Sequence, residues 1–358
     1  MTAREVEVAV VGAGIVGLAT TDALRRRGTR VACVEGGHPG HGQSAGAARG
    51  FRHLHRDPAL TALAIRSAAA WRRLEERAGA EILERGGALR LADDADDGLA
   101  ALTDSGLEAR LLSRAHAGAY LPWLAPDAEP LLFDPGGGAV RARPAFAALT
   151  RFAGDALLAA RVQAIEPAAD DVTLRTTAGD VRCARCVVCA GSGTERLVAP
   201  LGIELRRIRR AALRLTFPVR DPAPGPVAVW GDPSERYGER AYGAPEGPDR
   251  YAVGLQDVSP PVPDPYAETV PSGGDLSSVR GRLLAYVRAA FPGLDPAPVD
   301  TVLRLTTALP GGDDAFGLWE RDGVLAFAGH NLFKHAALLG ELVADAATGR
   351  AWDPVLRP

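Results

Sequence analysis

Three glycines near the N-terminus limit what this chain can fold into. Gly12-Ala13-Gly14-Ile15-Val16-Gly17 has the G-x-G-x-x-G spacing, which is weak evidence alone and specific only in its setting. The apolar run Val6 to Val11 precedes it and predicts a strand buried on both faces. Ile15, Leu18, Ala19, Ala23 and Leu24 follow at helical spacing, and Gly28 supplies a residue that tolerates the left-handed conformation at a helix end. A second strand, Arg30 to Val34, leads to Glu35, 18 residues beyond Gly17. Together these are the parts of a dinucleotide-binding βαβ unit. Gly12 permits the tight turn, Gly14 lets a pyrophosphate approach the backbone, and Gly17 lets helix and strand pack closely. The helix N-terminus offers free N–H groups and partial positive charge to phosphates. Glu35 can accept hydrogen bonds from a ribose diol and would repel a 2′-phosphate, so FAD or NAD is favoured over NADP.

The rest of the 358 residues allows a second domain. A net charge of −3 gives no argument for a nucleic acid or an anionic membrane as partner. No apolar run approaches the ~18 residues of a membrane span. The first residues enter the first strand directly, so no signal peptide and a cytoplasmic location are expected. Cys183, Cys186 and Cys189 form C-x-x-C-x-x-C, but on a strand residues three apart point to opposite faces and no histidine is near, so no metal is expected. Asp93 to Asp97 is read as a solvated turn, since it lacks the glycine and terminal glutamate of a calcium loop. Among 41 basic residues there is a single lysine, Lys334. Arginine and lysine differ at a tight site, so a lysine that persists in an arginine-rich chain is a candidate functional residue.

Along the chain, a Gly-rich loop (Gly36 to Gly50) runs into the basic cluster Arg49 to Arg56, and a helix is predicted from Pro58 to Ala78. Short strands and turns occupy Gly86 to about Arg141. Helical spacing returns from Pro144 to Leu158. Strands follow at Arg161 to Glu166, Val172 to Thr176 and Val181 to Ala190, the last stopping on Ala190-Gly191. A second excursion, about Ile203 to Pro310, holds strands at Leu213 to Phe217, Val227 to Trp230, Tyr242 to Pro245 and Tyr251 to Gln256. It also holds a Pro-rich loop (Ser259 to Pro271) and a helix, Leu276 to Ala290. A buried strand, Gly323 to His330, and a closing helix, Phe333 to Ala347, end the pattern. The expected class is α/β, α+β overall. Residues 1–85, 142–202 and 311–358 form the nucleotide domain, and 86–141 and 203–310 a β-rich substrate domain.

This arrangement resembles the glutathione-reductase-type FAD fold, and within it the D-amino-acid oxidase superfamily, nearest the monomeric sarcosine oxidase, N-methyltryptophan oxidase and glycine oxidase group. The resemblance rests on the Gly12 fingerprint, Arg49-x-x-Arg52, Cys189-Ala190-Gly191, Tyr242-Gly243-Ala244-Pro245, and Ala328-Gly329-His330 through Phe333-Lys334. It implies that Arg52 and Lys334 hold a substrate carboxylate, by a bidentate fork and a compact charge. Arg49 would lie beside the flavin, Tyr242 would wall the pocket, and the helix N-terminus at Lys334 would face the flavin's pyrimidine edge. The implied FAD contacts are Gly12, Gly14, Ile15, Val16, Gly17, Glu35, Gly36, Ser44, Ala48, Arg49, Val162, Ala190, Gly191, Gly329, His330, Asn331, Leu332, Phe333 and Lys334.

Three departures bear on the chemistry. The sarcosine oxidases attach flavin through a cysteine near the position of Leu303-Arg304, and no cysteine follows Cys189, so noncovalent FAD is expected. The family's oxygen-activating lysine follows a Gly-Leu pair, but here Gly254-Leu255 precedes Gln256. The loop from Gly329 to Lys334 differs in length from the usual pattern. The resemblance implies an FAD-dependent oxidase of an α-amino acid, foremost an N-substituted glycine. Hydride transfer to flavin gives an imine, water hydrolyses it, and O2 reoxidises the flavin to yield H2O2. His53, His55 and His330 are candidate bases. Trp230, Tyr242 and Tyr251 suggest an apolar substituent on the substrate. An amino acid dehydrogenase with another acceptor, a flavin monooxygenase and a non-catalytic nucleotide-binding protein are the alternatives, and the chain is expected to act as a monomer or homodimer.

Overall fold

The computed structural model describes residues 4–256, 258–262, 270, 276–309 and 314–357. The expected Pro-rich loop at 259–271 lies largely outside these residues.

The first sheet has eight strands and is built around Arg4–Val11, which pairs in parallel with Val31–Glu35 on one side and Val181–Val188 on the other. Val31–Glu35 is buried throughout, the mark of a strand covered on both faces. Val181–Val188 splits its outer edge between two partners. Its first residues pair antiparallel with Val172–Thr176, and Cys186 to Val188 pair in parallel with Val324–Gly329. That parallel pairing brings the C-terminal end of the chain back beside the N-terminal glycines. The helix Ile15–Arg26 follows the first strand and packs on the closing helix Ala336–Ala347, where a Cβ on Gly340 would lie 2.5 Å from the Ala19 backbone.

The second sheet also has eight strands, in the order Asp300–Ala308, Ile208–Pro218, Arg250–Leu255, Ala241–Pro245, Val229–Asp232, Ala88–Leu91, Leu131–Asp134 and Arg110–Leu112. The helix Leu276–Ala290 covers one face, burying Leu283, Tyr286 and Val287 in an aromatic-rich core with Phe217, Trp230 and Phe291. A small sheet of Ala48–Phe51, Gly138–Arg141 and Leu83–Glu84 lies between the two large ones in sequence and carries the Arg49 segment.

Several elements differ from the sequence expectation. Asp93 to Asp97 is not simply a solvated turn: a helix begins at Ala95 and runs to Asp104, with Asp96 and Asp97 in the first turn, where the helix dipole favours acids. The helix expected to reach Leu158 is Ala142–Ala153; Gly154, at φ 51°, ends it, and Leu157–Ala159 joins the edge of the first sheet beside Val31–Glu35. The strands Asp300–Ala308 and Phe316–Arg321 add to those expected from the sequence. Lys334 lies on a short 3-10 turn, Leu332–His335, ahead of the closing helix rather than inside it. Asn331 opens that turn in the left-handed region, at φ 54°.

Candidate active site

The glycine turn is shaped by close backbone approach. Gly12 has φ 100°, and a Cβ there would meet the Cys189 carbonyl oxygen at 2.7 Å. A Cβ on Gly17 would stand 1.9 Å from the Gly12 carbonyl oxygen. Gly14 forms the N-cap of the helix without a side-chain cap, and the Ile15 N–H donates to Ser44 Oγ at 3.2 Å. Glu35 is held by two backbone donors, Ala13 N–H to Oε2 and Gly37 N–H to Oε1, each 2.7 Å. Each oxygen keeps a second lone pair for a ribose diol.

A cavity of about 1420 Å3 is lined by Glu35, Gly36, the glycine turn, Arg49, Tyr242, Gln256 and Lys334. It exceeds the roughly 300–1,000 Å3 of ordinary small-molecule sites, as a dinucleotide plus a substrate requires. Among the expected cofactor contacts, Gly12, Gly14, Ile15, Val16, Ser44, Val162, Ala190, Gly191 and the whole run Gly329 to Lys334 line it. Gly17 and Ala48 do not; Gly17 packs on Gly12, and buried Ala48 offers its carbonyl to Arg49 and Arg214. The residues fit FAD: glycines without a Cβ at the helix N-terminus would let a pyrophosphate approach, Glu35 would accept from a ribose diol, and the cavity is large enough for a dinucleotide. Burial raises the thiols of Cys33, Cys183, Cys186 and Cys189, and among the described residues no group of three His, Cys, Asp or Glu could hold a metal ion.

Three arginines cluster in the cavity wall. Arg49 stacks its guanidinium 5.2 Å from the Phe333 ring centroid and donates to the Ala48 and Ala45 carbonyls. Arg304 donates to the same Ala45 carbonyl at 3.2 Å, and Arg214 donates to Ala48 and pairs with Glu246. Burial lowers Arg49 well below its ordinary pKa, and the neighbouring Arg304 and Arg214 charges lower it further. Burial and Arg214 bring Arg304 down to about 10. Sequence reasoning missed Arg214, Glu246 and Arg304. The available signal was an arginine inside the apolar run Leu213 to Phe217, since a buried charge requires a partner.

The structure brings Arg52 and Lys334 together on a residue the sequence did not single out, Asp314. Lys334 Nζ donates to Asp314 Oδ1 at 2.8 Å, and Arg52 Nη2 lies 3.7 Å from Oδ2. Lys334 is 4% exposed; burial, then Arg52, lowers its pKa to about 8 against the opposing pull of Asp314. His55 Nδ1 is 3.2 Å from Asp314 Oδ2, and burial and Lys334 push its pKa down to about 4. It is therefore neutral at physiological pH and a weak base. His53 is locked to Asp134 by its ring nitrogen at 3.1 Å and does not line the cavity, whereas His330 does. Tyr242 lines the cavity, but Tyr251 is fully buried in the second core, its hydroxyl on the Ala228 carbonyl, and does not line the cavity. Gln256 lines the cavity and donates its amide to the Ala241 carbonyl at 3.0 Å.

The backbone that carries Lys334 is tied to the core. The indole N–H of fully buried Trp71 donates to the Lys334 carbonyl at 2.7 Å. Trp71→Phe keeps most of the packing but leaves that carbonyl unpaired. The expected cost is about 1–3 kcal/mol of stability, read as a lower denaturation midpoint. An unchanged midpoint would show that the bond is energetically idle.

The sequence profile of the family described as DAO, FAD-dependent oxidoreductase, matches residues 7–346. The N-methyl-L-tryptophan oxidase of Citrobacter koseri is 25% identical over 374 residues, covering 96% of this chain and 95% of that protein. The glycine oxidase structure from Geobacillus kaustophilus superposes with a TM-score of 0.79 at 25% identity, over 98% of this chain and 97% of that one. NikD, an unusual amino acid oxidase essential for nikkomycin biosynthesis, shares the fold in its open form, with a TM-score of 0.85 at 24% identity over 99% and 98% of the two chains.

Proposed function

The chain belongs to the DAO family of FAD-dependent oxidoreductases, and from that premise we propose that it oxidises the C–N bond of an α-amino acid, foremost an N-substituted glycine, using noncovalently held FAD and O2. The observation that supports this most is the convergence of the chain's one lysine and Arg52 on Asp314 in the wall of the same cavity that Glu35 lines. Two cations there suit a carboxylate: Arg52 donates Nε to the Leu54 carbonyl at 3.2 Å, which leaves its Nη pair, with Nη2 3.7 Å from Asp314 Oδ2, as the fork for a carboxylate. When bound, FAD supplies a two-electron acceptor for a hydride from carbon. The protein's part is to anchor the carboxylate so that the C–H bond next to nitrogen is presented in one orientation. Tyr242 lines the wall, and Arg49, Arg214 and Arg304, against the single carboxylate of Glu246, leave that part of the cavity wall positive, which favours negative charge developing there. Water then converts the imine to an amine and an oxo acid.

A second acceptor is favoured by one observation. Gln256 follows Gly254-Leu255 and spends its amide on the Ala241 carbonyl, so this position offers no ammonium to oxygen. A dehydrogenase passing electrons to another acceptor is the corresponding reading. Turnover with an N-substituted glycine in air separates them. The oxidase reading expects one H2O2 per substrate consumed; dye reduction without peroxide supports the dehydrogenase.

A further inference from the structure

We propose that Asp314 is a positioning residue of the carboxylate subsite: it gathers Lys334, Asn331, His55 and Arg52 around one internal carboxylate and keeps the Lys334 ammonium charged for the substrate. The proposal rests on the reading of Lys334 and Arg52 as carboxylate anchors and adds a residue to it.

The geometry carries it. Asp314 Oδ1 accepts from Lys334 Nζ at 2.8 Å and from Asn331 Nδ2 at 3.0 Å, while Oδ2 faces His55 Nδ1 at 3.2 Å and Arg52 Nη2 at 3.7 Å. Oδ1 thus has two donors, and Oδ2 has one hydrogen bond with the Arg52 guanidinium beside it, a cationic setting that disfavours a substrate ammonium at Asp314. Its contribution is to its neighbours. Burial alone would raise the Asp314 carboxyl, but Lys334, His55 and Arg52 outweigh it and hold the group far below the ordinary carboxylate range. The carboxylate is therefore negative at every working pH.

The charges around Lys334 come from three directions. Asp314 lies just ahead of the strand Phe316–Arg321, and Arg52 and His55 lie just after the strand Ala48–Phe51. His335 sits on the same short turn as Lys334, and burial keeps it neutral, helped by Lys334 and His55. The helix Pro58–Ala78 contributes neutral groups, Trp71 on the Lys334 carbonyl and Ser67 Oγ at 3.0 Å from His335 Nδ1. Lys334 and Arg52 against Asp314 leave one positive charge over, which one substrate carboxylate neutralises. Without Asp314, a buried ammonium beside Arg52 would release its proton at lower pH.

The test is an acetate titration of the FAD-loaded enzyme, followed by flavin absorbance from about pH 6 to pH 9.5, in wild type and in Asp314→Asn, Asp314→Glu and Lys334→Gln. Wild type is expected to lose affinity as pH rises through about 8. Asp314→Asn loses it at least one pH unit earlier. It binds acetate as well as or better than wild type at pH 6, with one competing anion fewer, and about fivefold more weakly at pH 8. Asp314→Glu keeps the alkaline limb of wild type because the charge is retained, and it carries the test should the asparagine variant not hold FAD. Three results overturn the proposal: tighter binding by Asp314→Asn at every pH, a uniform loss independent of pH, or a limb displaced in Asp314→Glu. If Lys334→Gln binds acetate like wild type, the carboxylate-anchor reading itself fails, whatever Asp314 does.

Discussion

Lys334→Gln lowers kcat/KM for a carboxylate-bearing amine by tens to thousands-fold, with KM rising at least as much as kcat falls. Removing one member of a buried, hydrogen-bonded charge pair costs about 2–5 kcal/mol. Lys334 meets that description: it is 4% exposed and 2.8 Å from Asp314. The loss has two parts. The substrate carboxylate gives up a cation, and Asp314, stripped of its main partner, repels the carboxylate from the same place. Lys334→Arg is not a conservative rescue, since a planar guanidinium does not fit a site built for a compact ammonium. The wild-type enzyme should also lose kcat/KM as pH rises through about 8, because burial has lowered the Lys334 pKa to that value and only the charged form binds a carboxylate. Steady-state kinetics on both variants and a pH profile of the wild type check all three. A variant with unchanged KM would remove Lys334 from the site.

The second large effect is on the cofactor. Gly17→Ala places a Cβ 1.9 Å from the Gly12 carbonyl oxygen, and neither partner is a flexible side-chain end that can move aside. The helix Ile15–Arg26 must shift away from the strand Arg4–Val11, which withdraws its N-terminus from the pyrophosphate position. Overpacking of this kind costs about 1–3 kcal/mol or more. The expected result is a colourless preparation, or one that retains FAD only at high cofactor concentration. Gly28→Ala is the control. Gly28 has φ 79°, but its Cβ would meet nothing within 4 Å, so the change strains one helix end and leaves FAD bound. Equal loss of FAD from both variants would mean that general destabilisation, not the glycine turn, is responsible.

What the sequence revealed and what it hid follow from range. The glycine turn, the helix Pro58–Ala78 and the helix Leu276–Ala290 are local patterns of apolar spacing and end signals, and they stand where periodicity put them. Lys334 stood out by composition alone. Asp314 gave no signal because Gly311-Gly312-Asp313-Asp314 reads like any polar turn, and its importance comes only from four donors converging from distant segments. The cationic cluster was hidden in the same way, since Arg49, Arg214 and Arg304 lie on three different strands. Tyr251 misled for the opposite reason. Its strand neighbours the cavity, but alternate residues of a strand face opposite ways, and the ring points into the second core.

The most direct measurement of the central claim is anaerobic mixing of the FAD-loaded protein with an N-substituted glycine and, separately, with the same amine lacking its carboxylate. The flavin absorbance is expected to bleach with the amino acid and to stay intact with the decarboxylated amine over the same time. Equal bleaching by both amines would contradict a site organised around a substrate carboxylate. Bleaching by D-amino acids alone would contradict the N-substituted-glycine assignment.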